Sequence, residues 1–101
     1  MIKMKISDLE ANAKVYNLVV TIESLNNIET VGDGRTLQEG IASDDSGQIK
    51  FSFWEGDAGK YSVGDKISFV NGWARTFQDE LQVSAGKYGK VNLIPSEKID
   101  K

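Results

Sequence analysis

The sequence predicts an all-β protein, a small barrel of five short strands. Apolar and polar residues alternate over several stretches of five to eleven residues, the period of a strand with one buried face. Clusters of Gly, Asp and Ser separate these stretches. The 101 residues suffice for one modest core, and no repeat or linker divides them.

The five predicted strands differ in strength. The first is long and rich in β-branched residues, the second is polar, the third and fifth alternate cleanly, and the fourth alternates in its first half. They are Val15 to Leu25, Arg35 to Ser43, Gln48 to Trp54, Lys66 to Ala74 and Leu81 to Ala85. Turn signals between them are GDG at 32–34, DDSG at 44–47, GD at 64–65 and Gly86.

The stretch EGDAGKY (55–61) separates the third strand from the fourth and has room for about two helical turns or an irregular loop. Five strands with one interruption after the third are typical of the OB-fold, a Greek-key barrel. An SH3-like barrel is the alternative, but it needs neither the long first strand nor this insert. We expect one OB-fold domain over residues 1–95, closed by Pro95, and a charged tail over 96–101.

Composition argues against catalysis. The absence of Cys and His removes disulfides, thiolate zinc sites, Cys nucleophiles and His bases. The paired carboxylates Asp44-Asp45 and Asp79-Glu80 fall in turns, where solvated acids are common. We therefore predict no enzyme, no cofactor and no metal site. The chain shows neither a membrane span nor a signal peptide, so we expect a cytoplasmic, nucleoid-associated protein.

Strand alternation puts one tryptophan on an outer face. In the third strand Ile49, Phe51 and Phe53 share the core side, which leaves Trp54 on the polar side with Lys50. A large aromatic beside a lysine on an outer face is a candidate ligand contact. The alternative is that Trp54 tucks under the segment 55–61.

Two further aromatics follow in the fourth strand and its connection. Strict alternation from Phe69 would carry Trp73 inward, but a bulge at Gly72 would reverse the phase and turn Trp73 outward. Without that bulge Trp73 belongs to the core. Phe77 falls in the connection TFQDE (76–80), where burial is difficult and stacking on a ligand or a neighbour is favoured.

Basic and polar residues accompany these aromatics. The basic residues Lys50, Arg75, Lys87 and Lys90 are predicted to gather around the same face, and Ser84 lies on the outer side of the fifth strand. Aromatic rings stack on bases and cations meet phosphates, so this combination suits single-stranded nucleic acid with little sequence preference. The net charge of −3 does not exclude it, because screening makes a local basic face matter more than the total.

The chain resembles the archaeal single-stranded DNA-binding proteins and the OB domains of archaeal replication protein A. The resemblance runs from Met4 to about Val91 and is most specific over IKFSFWEGDAGKYSVGDKISFVNGWARTFQDELQVSAG, with GRTLQEGIASDDSGQIK before it. It implies that Trp54, Trp73 and Phe77 stack on bases, that Ile28 touches DNA, and that Arg35 matches the family arginine of strand two.

The resemblance also implies partners. They are single-stranded DNA, or single-stranded RNA, together with other replication or repair proteins or further OB domains, and no membrane. Two alternatives stay open: an OB domain that binds protein instead of DNA, favoured by the acidic balance, and an RNA-binding OB domain, since stacking does not distinguish the sugars.

Overall fold

The computed structural model describes residues 4–85 and 89–95. Seven strands and two short 3-10 turns make up this part of the chain. The strands are β1 (Ala13–Leu25), β2 (Glu29–Val31), β3 (Arg35–Asp44), β4 (Gly47–Trp54), β5 (Lys66–Phe77), β6 (Glu80–Ser84) and β7 (Lys90–Ile94), and the 3-10 turns are Ile6–Asp8 and Glu55–Asp57. No helix in the described ranges is long and apolar enough to cross a membrane.

The sheet closes into a barrel in the order β1-β3-β4-β6-β5 and back to β1. All neighbours in the barrel are antiparallel except β4 and β6, which run parallel. The five predicted strands are therefore confirmed as β1, β3, β4, β5 and β6. The predicted insert between β4 and β5 begins with the 3-10 turn Glu55–Asp57 and continues as irregular chain.

Two short strands were not predicted. β2 pairs only with the start of β3, and β7 extends the sheet along the first half of β5. Pro95 directly follows β7, as expected for a residue that cannot continue a ladder. The predicted charged tail, 96–101, lies outside the described residues.

Alternating inward residues of the barrel strands form one core. The ring centroids of Phe51 and Phe53 on β4 lie 4.7 Å apart, and each lies 6.3 Å from the ring centroid of Phe69 on β5. Tyr61, from the segment after β4, adds a ring 5.2 Å from Phe53 and donates its hydroxyl to the carbonyl oxygen of Val91. Burial, followed by the nearby carboxylates Asp57 and Asp65, raises the pKa of Tyr61.

The β3–β4 turn anchors the N-terminal segment. The Asp44 carboxylate accepts the Ile6 N–H at 2.8 Å and the Ser46 N–H and hydroxyl at 2.7 and 2.6 Å. Burial pushes the pKa of Asp44 upward, but these hydrogen bonds and one from the Gly47 N–H outweigh it and leave the pKa below its usual value. Ile6 is thereby held against the core.

The face that β5 turns inward changes part-way along the strand. Ile67 and Phe69 are buried before the change, Gly72 and Ala74 after it, and Asn71 at the change has a φ of 56°. β1 changes face at the same level, so the β1–β5 register is the same on both sides of this point, although Tyr16 and Asn71 are not themselves paired. Trp73 thus points outward as predicted. The alternation of inward and outward side chains along β5 is reversed by the left-handed conformation of Asn71. The predicted bulge at Gly72 is not present in this ladder.

Candidate nucleic-acid interface

The strand register sets outward side chains into rows across the barrel. One row crosses all five barrel strands at the level of Trp73 and consists of Glu39, Ser52, Ser84, Trp73 and Lys14. The next row consists of Ile41, Lys50, Gln82 and Arg75. Aligned residues on neighbouring strands lie about 5 Å apart, so each row is a continuous strip of side chains.

A shallow groove of about 180 Å³ lies over these rows. It is lined by Leu37, Glu39, Ser52, Trp54, Arg75, Phe77, Gln82, Val83 and Ser84. The groove brings together four of the predicted site residues, and Trp73 adjoins it as the cross-strand neighbour of Ser84. Three candidate aromatics and one candidate cation therefore share one surface.

Trp54 ends β4 on the outer side, as the alternation predicts. It is half-buried, and the Arg35 guanidinium lies over its ring at 4.9 Å from the centroid. Arg35 in turn pairs with Asp33 at 3.3 Å. Arg35 therefore covers one face of the Trp54 indole.

Trp73 and Phe77 are exposed to 44% and 52%. Trp73 stands between Ser84 of β6 and Lys14 of β1. Phe77 is the last residue of β5 and pairs with Glu80, so its predicted place in the connection is wrong. The connection consists of Gln78 and Asp79 alone, both with positive φ, which is the geometry of a tight two-residue hairpin. β5 therefore extends further than predicted and gives Phe77 a fixed position.

The cations of the face differ in their partners. The Lys50 ammonium lies 3.0 Å from a Glu80 carboxylate oxygen, and this hydrogen bond and ion pair raise the pKa of Lys50. Glu80 stands opposite Phe77 on the outer face. Arg75 makes no ion pair with any residue of 4–85 or 89–95. Lys87 lies outside the described residues.

Ile28 lies outside the groove lining. It is exposed just before β2, and a Cβ built on Gly59 would come within 2.9 Å of its Cδ1. The buried Gln38 ties the two segments together, since its amide donates to the Asn26 carbonyl at 3.0 Å and accepts the Gly59 N–H at 2.9 Å. The structure thus places Ile28 beside the segment that follows Trp54.

Sequence reasoning missed several residues of this surface. Leu37, Glu39 and Gln82 line the groove, and Lys14 continues the Trp73 row onto β1. Each lies on the outer side of a predicted strand, or one residue before it, so alternation could have placed it outward. Only the cross-strand register shows which outward residues are neighbours.

Comparison with known proteins bears on the fold and on the resemblance. No protein-family model matches the chain. The single-stranded DNA binding protein of Saccharolobus solfataricus is 28% identical over 90 residues, which cover 86% of this chain and 61% of that protein. The chain thus spans less than two thirds of the length of this relative.

Solved structures share the architecture. An OB domain from Thermoplasma acidophilum matches with a TM-score of 0.77 at 16% identity, over 98% of this chain and 92% of that one. The second OB domain of replication protein A from Methanococcus maripaludis matches with a TM-score of 0.74 at 20% identity, over 97% and 100%. The fold is an OB-fold. The predicted resemblance to archaeal single-stranded DNA-binding proteins and replication protein A domains is confirmed.

Proposed function

We propose that this OB domain binds single-stranded DNA with little sequence preference and serves replication, repair or recombination. Bases stack on Trp54, Trp73 and Phe77, while Arg75 and Lys87 meet phosphates, with Lys50 available once it leaves Glu80. The proposal covers residues 1–95 as the binding unit and includes a cytoplasmic, nucleoid-associated location. Binding, and not catalysis, is the activity we assign.

The observation that carries the proposal is the exposure of two large aromatics on one face. A fully buried Phe side chain contributes about 1.5–3 kcal/mol, so leaving Phe77 half exposed forgoes on the order of 1 kcal/mol of stability. Trp73 forgoes a similar amount. Both residues lie on the outward face of β5 beside the groove, where a stacked base would cover them.

The groove floor explains the expected lack of sequence preference. Stacking on a ring reads no hydrogen-bond pattern, and every base has a face that can stack. Ser52, Ser84 and Gln82 on the floor offer hydroxyl and amide groups that donate or accept equally. Such groups adapt to any base edge, so the aromatics and not the polar floor supply the affinity.

The test is a fluorescence titration with oligo-dT, because both tryptophans of the chain belong to the proposed face. Binding should strongly quench the emission. Trp54→Ala should weaken binding by about 1–3 kcal/mol and leave the melting temperature near that of wild type. Leu93→Ala, an exposed residue on β7, is the control and should change neither. Unchanged emission at saturation would contradict the assignment of the face.

Two further arms separate the alternatives. Oligo-U that binds as tightly as oligo-dT would assign single-stranded RNA to the same face, since stacking does not distinguish the sugars. Duplex DNA should bind weakly, because its bases are already stacked. Absence of binding to any single strand at low salt would favour an OB domain that binds replication proteins or further OB domains through these aromatics.

A further inference from the structure

A lysine and a tyrosine of β1 lie beyond Trp73, outside the groove. Lys14 is the cross-strand partner of Trp73, so the two side chains stand together on the outer face. The Lys14 ammonium lies over the Tyr16 ring, 5.6 Å from its centroid. Tyr16 is the most exposed large hydrophobic residue among those the structure describes, at 61%.

We propose that Lys14 and Tyr16 extend the binding face across β1, with Tyr16 stacking on the base next to the one on Trp73. The inference rests on the proposed function. One strand spacing and two residues along the strand separate Tyr16 from Trp73, a distance of about 8 Å between Cα atoms. Neighbouring nucleotides of an extended strand reach both rings, and Lys14 stands between the rings to meet the intervening phosphate.

Hydrogen bonds anchor the backbone at Tyr16. The Tyr16 N–H donates to the Met4 sulfur at 3.3 Å, and the Met4 N–H donates to the Asn17 carbonyl at 2.8 Å. Lys14 restricts the ring further through the cation–π contact. A stacking platform that is ordered before binding loses little entropy when a base arrives.

An exposed, ordered tyrosine has no core role to explain it. The inward residues of this part of β1 are Val15 and Leu18, both fully buried, and Tyr16 projects away from them. The pairs Val15–Gly72 and Asn17–Val70 flank Tyr16 and place the exposed Asn71 nearest to it on β5, so among the described residues no bulky cross-strand partner covers the ring. The ring is therefore open to a ligand on its uncovered side.

The experiment compares Tyr16→Ala with wild type on oligo-dT of two lengths. A strand of about three nucleotides has one base for each of the three groove aromatics and none for Tyr16, whereas one of about twelve reaches β1. Tyr16→Ala should weaken binding of the long strand roughly five- to tenfold and leave the short strand unchanged. Tyr16→Phe should restore long-strand binding, since stacking needs the ring and not the hydroxyl. Leu93→Ala, similarly exposed on β7, should have no effect at either length.

A second measurement addresses the lysine. Lys14→Ala should reduce the slope of log affinity against log salt by about 0.7 for the long strand, one phosphate on a single strand. Lys66→Ala is the matched control, an exposed lysine at the opposite end of β5, and should leave the slope unchanged.

The outcomes distinguish this inference from the proposed function. If wild type binds neither strand, the proposed function fails and this inference fails with it. If wild type binds both and Tyr16→Ala matches it at both lengths, the extension onto β1 alone is refuted. A loss equal at both lengths also refutes it, because an extension acts only on strands long enough to reach it.

Discussion

Neutralising Glu80 should tighten DNA binding, even though this residue has no place among the base-stacking groups. Glu80 holds the Lys50 ammonium at 3.0 Å on the outer face of the barrel. A phosphate must displace this carboxylate before it can bind the Lys50 ammonium. In Glu80→Gln the lysine is free, and one negative charge is removed from the surface that meets the strand.

The magnitude follows from simple electrostatics. A carboxylate about 7 Å from a phosphate repels it by about 0.6 kcal/mol in water, which corresponds to about threefold in affinity. Release of Lys50 adds one phosphate contact, and one contact steepens the salt dependence by about 0.7 on a single strand. On a strand too short to reach Lys14, Arg75 and Lys87 are the other contacts, so the wild-type slope should lie near about −1.4 and that of Glu80→Gln near about −2.1.

The assay is isothermal titration with oligo-dT at several salt concentrations. Asp45→Asn is the matched control, because Asp45 forms an exposed ion pair with Lys5 at 3.2 Å and its loss changes the net charge equally. Its slope should match that of wild type. In a Lys50→Ala background, Glu80→Gln should no longer change the slope. A Glu80→Gln slope equal to that of wild type would refute the reasoning, since Lys50 then meets no phosphate.

Three further predictions follow from the same geometry. Trp73→Ala should weaken oligo-dT binding by about 1–3 kcal/mol, with a melting temperature near that of wild type; a collapse of the melting temperature would mean a core role. Gly72→Ala would bring a Cβ within 2.5 Å of the Ser84 carbonyl oxygen and should cost on the order of 1–3 kcal/mol of stability, measured by urea unfolding, whereas Gly56→Ala, with open space around it, should be near neutral. The pKa of Asp44 is lowered in the folded state, so the ionised carboxylate stabilises the fold above the unfolded-state pKa of about 3.9, and this stabilisation is lost as the pH falls through the folded-state pKa. Asp44→Asn should therefore lower the free energy of unfolding by about 1 kcal/mol at neutral pH and by less in acid. Unfolding curves at several pH values would show this.

The sequence correctly predicted the features that depend on the two-residue alternation within a single strand. β4 alternates without interruption, so Phe51, Phe53 and Trp54 were each placed on the correct side. The strand count of the barrel followed from turn signals in the same way. Phe77 was misplaced because TFQDE contains no Gly or Asn to mark a two-residue turn, and the hairpin forms instead on Gln78 and Asp79 with positive φ, an uncommon conformation for such residues.

What the sequence could not predict is which outward residues are neighbours. β2 and β7 are short edge strands whose patterns are too brief to detect. The ion pair between Lys50 and Glu80 joins positions thirty residues apart, and the contact between Trp73 and Lys14 joins positions almost sixty apart. Both depend on the register of the closed barrel, which no local pattern encodes.

The register also resolves the conflict between an acidic chain and a nucleic-acid ligand. Of the two candidate cations on the described face next to Gln82, one is neutralised by Glu80 and the other, Arg75, has no acidic partner among the described residues. Under the proposed function, a face with so little net positive charge gains little affinity from counterion release, and we expect stacking on Trp54, Trp73 and Phe77 to supply most of the affinity. Binding of this kind should persist in salt that dissociates proteins held by phosphate contacts alone, and the total charge of −3 has little bearing on it.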